Sequence, residues 1–262
     1  MKQPAQQSMS RARKEQEQTM LQSGQFPNDI GLLPDTFILP RNPRERYNWT
    51  IRKRWLYTRF WEWIATYQLR FMTRKPRPRL HLSRIPALAQ DLHTRTLTAF
   101  AAGDLTPIQS SLSQGIFSSL KSRLATREPN TITSWHLLAT LRSPKLVSYK
   151  PILLPSSSSD KTAQRDNWNL QAVVRLHTRQ ILQNLKKTAK RGAGGKMVEE
   201  VAVLGKPEVK EVVEYVVLQK VWRKARAGEW GLWGFADEMT LARLKREDAR
   251  KMKSAAQGAL TG

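Results

Sequence analysis

Apolar residues change their spacing once along this chain, near Pro129. Before it they recur every three or four positions. After it they alternate or gather into β-branched runs. Helices followed by a run of strands predict an α+β domain built on an antiparallel meander.

The stretch 49–75 reads as one long helix, stopped by Pro76 and Pro78. At about 100° per residue, Trp49, Phe60, Ile64, Tyr67 and Phe71 fall on one side, expected to pack on protein. Arg52, Arg59, Arg70 and Arg74 form a neighbouring stripe that also holds Trp63. A second helix is predicted over 85–102, with Ile85, Leu88, Ala89, Leu92 and Phe100 facing inward and Gly103 as its stop. Asp104 or Thr106 can cap the next helix, with Pro107 in its first turn. Ile108, Leu112, Ile116, Leu120 and Leu124 then recur every four residues, so the two helices are expected to form a hairpin.

Beyond Pro129, 135–141 and 146–154 read as strands broken near Pro144, and 155–167 as a Ser-rich loop. Within 172–182, Ala172, Val174 and Leu176 alternate with Arg175, His177 and Arg179. A basic loop is predicted over 183–196. The clearest strand is 212–222, turning at Ala227 and Gly228 into its partner at 230–235. A basic helix over 240–253 closes the chain. Ahead of the helices, Pro27, Pro34, Pro40 and Pro43 should keep 25–48 extended over a surface. The Gln- and Ser-rich segment 1–24 is expected to be a disordered arm; its basic residues faintly suggest a mitochondrial presequence, and Glu15 and Glu17 count against one. The chain therefore divides into an arm (1–48), a basic aromatic helix with a Pro-rich linker (49–83), a folded body (84–240) and a basic helix and tail (241–262).

Charge narrows the partner. Lys and Arg total 45 against 21 Asp and Glu, a net charge of +24. Such a field suits a polyanion, nucleic acid first and an anionic membrane surface second. From Arg41 to Arg79 the acids are only Glu45 and Glu62. The expected phosphate contacts in this stretch are Arg52, Lys53, Arg54, Arg59, Arg70, Arg74, Lys75, Arg77 and Arg79, with Trp63 as a base-stacking candidate. Lys186, Lys187, Lys190 and Arg191 add a second basic site. The absence of Cys excludes disulfides and thiolate metal sites and fits a reducing interior or an organelle matrix. No stretch reaches the roughly 20 apolar residues needed to cross a bilayer.

Nothing in the sequence argues for catalysis. Gly192-Ala-Gly-Gly-Lys196 resembles a phosphate loop but has Lys190 where the motif needs Gly and Met197 where it needs Ser or Thr. His81, His93, His136 and His177 lack metal-ligand spacing. The expectation is no catalytic residue, no cofactor and no metal, and an interior lined by apolar groups such as Leu112, Ile116, Val174 and Tyr215.

Several segments carry a family resemblance. Gly103-Asp-Leu, followed by the run from Ser110 to Leu120, resembles the helical entry to the Tim-forty-four-like domain of the import-motor anchor. The segments 172–180, 213–219 and 230–236, the last with Trp230-Gly-Leu-Trp233-Gly234, resemble its closing strands. Within that group the chain is most similar to mitochondrial large-subunit ribosomal proteins of the L-forty-five type, related to the ribosome receptor Mba-one of yeasts. The resemblance covers roughly 84–240. It implies a fold similar to nuclear transport factor two, a curved antiparallel sheet wrapping a helical hairpin. It implies a structural role on the mitochondrial large subunit near the polypeptide exit. The implied partners are large-subunit rRNA, neighbouring ribosomal proteins, the inner-membrane surface and its insertion machinery, in the matrix beside that membrane. The import-motor anchor itself has a long, coiled N-terminal region, whereas this one is short, aromatic and basic. A peripheral inner-membrane tether or import-motor component without rRNA is the first alternative, and a small-molecule enzyme using the cavity common in this fold the second.

Overall fold

The structure, a computed structural model, describes residues 32–33, 36–73, 77, 79–127, 131–154, 167–191, 197–223 and 226–260. Most of the predicted Ser-rich loop and the glycines at 192–195 lie outside them, as does 1–24.

Two asparagines start the helical half. Asn42 accepts from the Arg44 N–H at 3.1 Å to open the short helix α1 (Pro43–Arg46). Asn48 accepts from the Thr50 N–H at 3.0 Å to open α2 (Trp49–Met72). A 3-10 turn (Leu82–Arg84) leads into α3 (Ile85–Ala102), which stops at Gly103 with φ 85°. That left-handed angle is easy only for glycine. The helix predicted after Gly103 is divided: Thr106–Ser111 is a 3-10 turn, Leu112 is extended, and only Gln114–Ala125 (α4) is α-helical. Leu112 leaves the helical path because it forms a parallel bridge to Leu232, and the Ser113 N–H donates to the Leu232 carbonyl at 2.9 Å. The four-residue stripe still reaches the core through both halves. Arg127 ties the pair together, donating to the Phe100 and Ala101 carbonyls at the end of α3 at 2.8 and 3.2 Å.

The second half is an antiparallel sheet of β1 (Thr131–Leu153), β2 (Trp168–Arg191) and β3 (Met197–Arg223), with β4 (Arg226–Ala227) and β5 (Gly231–Ala236) both paired to β3. The strands run further than the alternation suggests. The two strands predicted around Pro144 are one. Pro144 sits at a register shift between Arg142 and Lys145 on an edge strand, where its missing N–H costs no ladder bond. The predicted basic loop 183–196 is mostly sheet: β2 continues to Arg191 and β3 starts at Met197, paired from Asn184↔Leu204 to Arg191↔Met197. A shift opposite Leu182 and Asn184 absorbs 205–207, including Pro207.

Both faces of the sheet are covered. Ile85, Ala89 and Leu92 of α3 meet Val174, Leu176, Val216 and Leu218 on the inner face. Tyr215, expected in that interior, lies on the opposite face with Val173, Val217 and Ile38. There the extended segment 36–40 is held by its backbone. The Met239 N–H donates to the Ile38 carbonyl at 2.9 Å, and the Leu33 N–H donates to Gln171 at 3.1 Å. The closing helix α5 (Leu241–Leu260) sends Leu244 into a cluster with Phe37, Ile51 and Met239.

Helix α2 docks against β1. Its buried residues are Ile51, Thr58, Glu62 and Leu69. Glu62 is 5% exposed; it accepts from the Ser148 hydroxyl and pairs with Arg59 at 2.8 Å. Loss of solvation raises its carboxyl above the usual value of 4.5, opposed by the Ser148 hydrogen bond and by Arg59. A group whose folded pKa is raised contributes most below its unfolded value, and that contribution is lost as pH rises through the folded one. Glu62→Gln, which mimics the protonated acid, should therefore flatten the pH dependence. In urea melts from pH 4.5 upward, stability of the parent should fall relative to the variant as pH rises.

Candidate nucleic-acid interface

The docked face of α2 fixes what the other face shows. Of the aromatics expected to pack on protein, Trp49 is 74% exposed, Phe60 55%, Tyr67 50% and Phe71 46%. Only Ile64 of that set is half-buried. The reason is register. The inward positions 51, 55, 58, 62 and 69 follow a stripe that carries Thr and Glu as well as Ile and Leu, because the surface it meets includes the Ser148 hydroxyl. The rings are left outside as a ladder. Tyr57 and Phe60 each meet Trp61 edge-on at 6.0 Å, Trp63 lies 6.1 Å from Tyr67, and Tyr67 lies 4.5 Å from Phe71.

Cations interleave with these rings. The Arg52 guanidinium lies over Tyr47 at 6.0 Å, Arg54 over Tyr57 at 6.0 Å and Arg70 over Phe71 at 5.6 Å. The one acid of α2, Glu62, points inward. The exposed surface of the helix therefore presents planar groups and positive charge with no carboxylate of its own to neutralise them. Planar side chains stack on unpaired bases, and guanidinium pairs with phosphate in two-pronged geometry.

A second basic site joins residues distant in sequence. Arg41, Arg46, Arg142 and Arg175 line one recess of about 420 Å³ together with His177 and Glu211. Two acids temper it: Glu238 accepts from the Arg41 Nε at 2.6 Å, and Glu211 lies 2.6 Å from His177 Nε2. Arg142 is brought there by the β1 register, which sets it opposite His177. Arg175 is two residues earlier on β2. No local pattern announces this cluster, since its members come from an extended segment, a short helix and two strands.

The model of the MBA1-like protein family matches residues 27–241, most of the chain. The chain belongs to the MBA1-like protein family. The family is associated with the mitochondrial ribosome. No curated protein matches the chain. Among solved structures, the intermembrane-space region of the chloroplast protein ARC6 matches with TM-score 0.32 and 11% identity, over 61% of this chain and 97% of that one. At that level the likeness carries no argument.

Against the MBA1-like fold, the expected contact residues separate. Arg52, Lys53, Trp63, Arg70, Arg77 and Arg79 are exposed, and Arg54 is half-exposed. Arg59 is half-buried and committed to Glu62. Arg74 and Lys75 lie outside the described residues. Lys186, Lys187, Lys190 and Arg191 belong to the β2–β3 ribbon rather than a loop; their backbone is in β2 and their side chains are not described. Another feature departs from the expected apolar interior. His93 is 1% exposed, and its Nε2 lies 2.9 Å from Glu214, which also accepts from Gln180 at 2.9 Å. Burial works against the Glu214 carboxylate, yet its bonds to His93 and Gln180 prevail and hold its pKa below the ordinary value. Edge-on contacts of His93 with Trp135 and Phe235 close the ring in. Among the described residues no group of acids and histidines has the arrangement of a metal site.

The outward rings give a direct stability test. Phe60→Ala and Phe71→Ala should each change stability by less than about 0.5 kcal/mol, as surface substitutions do. Leu69→Ala, at a fully buried position, should cost about 2–5 kcal/mol. Thermal melting of the three variants checks the contrast.

Proposed function

We propose that this protein is a non-catalytic factor that grips the rRNA of the mitochondrial large subunit near the polypeptide exit and helps position the ribosome at the inner membrane. The observation that carries this reading is the orientation of α2. Its cations and rings face outward while its only acid is buried against β1. The four-arginine recess supports the same reading, because clustered guanidinium groups match adjacent phosphates. Membership of a family associated with the mitochondrial ribosome supplies the context. The sequence resemblance to the L-forty-five type supports a place on the large subunit beside other ribosomal proteins. No helix among the described residues is long and apolar enough to cross a membrane. Contact with the inner membrane and its insertion machinery would then be peripheral, drawn by basic residues near anionic lipid at about 1 kcal/mol each.

One observation favours a second reading, an inner-membrane tether without rRNA. Trp and Tyr flanked by Arg and Lys are also what the interface of a bilayer selects. Sedimentation of mitochondrial lysate separates the two. Under the first, the protein migrates with the large subunit and leaves it as salt rises, because each neutralised phosphate releases counterions. Arg52→Glu with Arg70→Glu, or Arg142→Glu with Arg175→Glu, should abolish co-migration and leave the melting temperature of the free protein little changed. Migration in a membrane fraction free of rRNA, with or without magnesium, would establish the tether instead.

A further inference from the structure

The start of α3 roofs a cavity that the proposed ribosome contact does not use. It encloses about 310 Å³, within the range of small-ligand sites. Its floor is apolar: Leu170 and Trp222 of the sheet, both buried, face Ile85 and Leu88 of α3, with Trp230 closing one side. Its mouth is cationic. Arg79 and Arg84 are exposed there, and the Lys220 ammonium lies 5.8 Å from the Trp230 ring centre. Burial depresses the Lys220 pKa, an effect that Glu229 opposes. No carboxylate lines the cavity among the described residues. A second recess of about 640 Å³ shares Arg79, Leu80 and His81 and adds Arg70 and Arg77, so the positive rim continues outward.

One feature of the local backbone, at the start of α3, sharpens the site. His81, beside it, holds φ 36°, a left-handed angle uncommon outside glycine. Strained backbone of this kind collects at ligand sites.

An apolar slot under a cationic mouth matches a molecule with a tail and a negative head. We propose that this cavity binds a single acyl chain bearing an anionic head group, the chain between α3 and the sheet and the head against Arg79, Arg84 and Lys220. The chemistry is shared by a free fatty acid and by one chain of an anionic phospholipid. The rim adjoins the Arg70 and Phe71 end of α2 and shares Arg79 with the expected phosphate contacts, whereas the apolar floor and Arg84 belong to the cavity and not to that outward face.

The test uses the full-length protein and oleate as probe, below the concentration at which oleate forms micelles. Titration calorimetry should show binding of a single equivalent. Oleyl alcohol, with the same chain and no charge, should bind at least about tenfold more weakly, the size expected when charged hydrogen-bond partners are lost. Arg84→Glu, at an exposed position, should weaken oleate by a similar factor without altering the melting temperature. Leu88→Phe, which fills the slot, should abolish binding; if it fails to fold, Arg84→Glu alone decides. Vesicles of phosphatidylcholine with phosphatidylglycerol distinguish the sources. Oleate binding with vesicle binding weakened by Arg84→Glu supports a phospholipid chain in the cavity. Oleate binding without any vesicle binding supports a free fatty acid. Vesicle binding without oleate binding overturns the proposal and assigns lipid contact to a surface. Equal affinity for oleate and oleyl alcohol also overturns it, since the cationic mouth would then have no part.

Discussion

One stripe of α2 decides which way the longest helix faces: Ile51, Thr58, Glu62 and Leu69 are buried together. Glu62 is the only acid in α2, and it is turned into the protein, where it meets Ser148 and Arg59. Burial disfavours its carboxylate and raises its pKa, and the two partners offset part of that cost. Rotating α2 to bury its rings would pull Ile51 and Leu69 out of their apolar clusters and strip Ser148 of its acceptor. The unneutralised outer face is therefore a consequence of packing as much as of composition. The rest of the layout follows: Ile51, one end of the same stripe, joins Phe37, Met239 and Leu244, and Leu69, near the other end, joins Trp168, Leu170 and Trp222.

The order of helices and strands was legible because periodicity reports which residues are sheltered. Ala172, Val174 and Leu176 do share the helix-covered face. Alternation was a poorer guide to strand length. It marks strands with one wet face, and Val173 is as buried as its neighbours because the segment at Ile38 covers the second face. Pro144 reads as a strand break in the sequence and sits at a register shift within one strand instead. The stripe from Ile108 to Leu124 was correct as a list of core residues and wrong as one helix. A backbone bridge from Leu112 to Leu232 outweighed the helical period.

The candidate interface was legible only in part. The basic, aromatic stretch is visible in the sequence, and Arg52, Trp63 and Arg70 lie outside as its spacing predicts; the rings expected in the core lie outside as well. Hydrophobicity predicts core for the rings, whereas apolar residues lie on both sides of α2 and the clusters that receive Ile51 and Leu69, with the Ser148 hydroxyl, select between them. The recess formed by Arg41, Arg46, Arg142 and Arg175 had no sequence signature, since only the sheet register brings Arg142 and Arg175 together. His93 and Glu214 likewise meet only through the packing of α3 on the sheet.

On this reading the outward face of α2 is the surface a partner covers. Hydroxyl-radical footprinting reads it residue by residue, comparing free protein with protein bound to the mitochondrial large subunit. Phe60, Trp61, Trp63 and Phe71 should be oxidised readily in the free protein, where all four are exposed, and protected in the complex. Equal oxidation of these rings in both states, with protection elsewhere, would show that the partner docks on another surface.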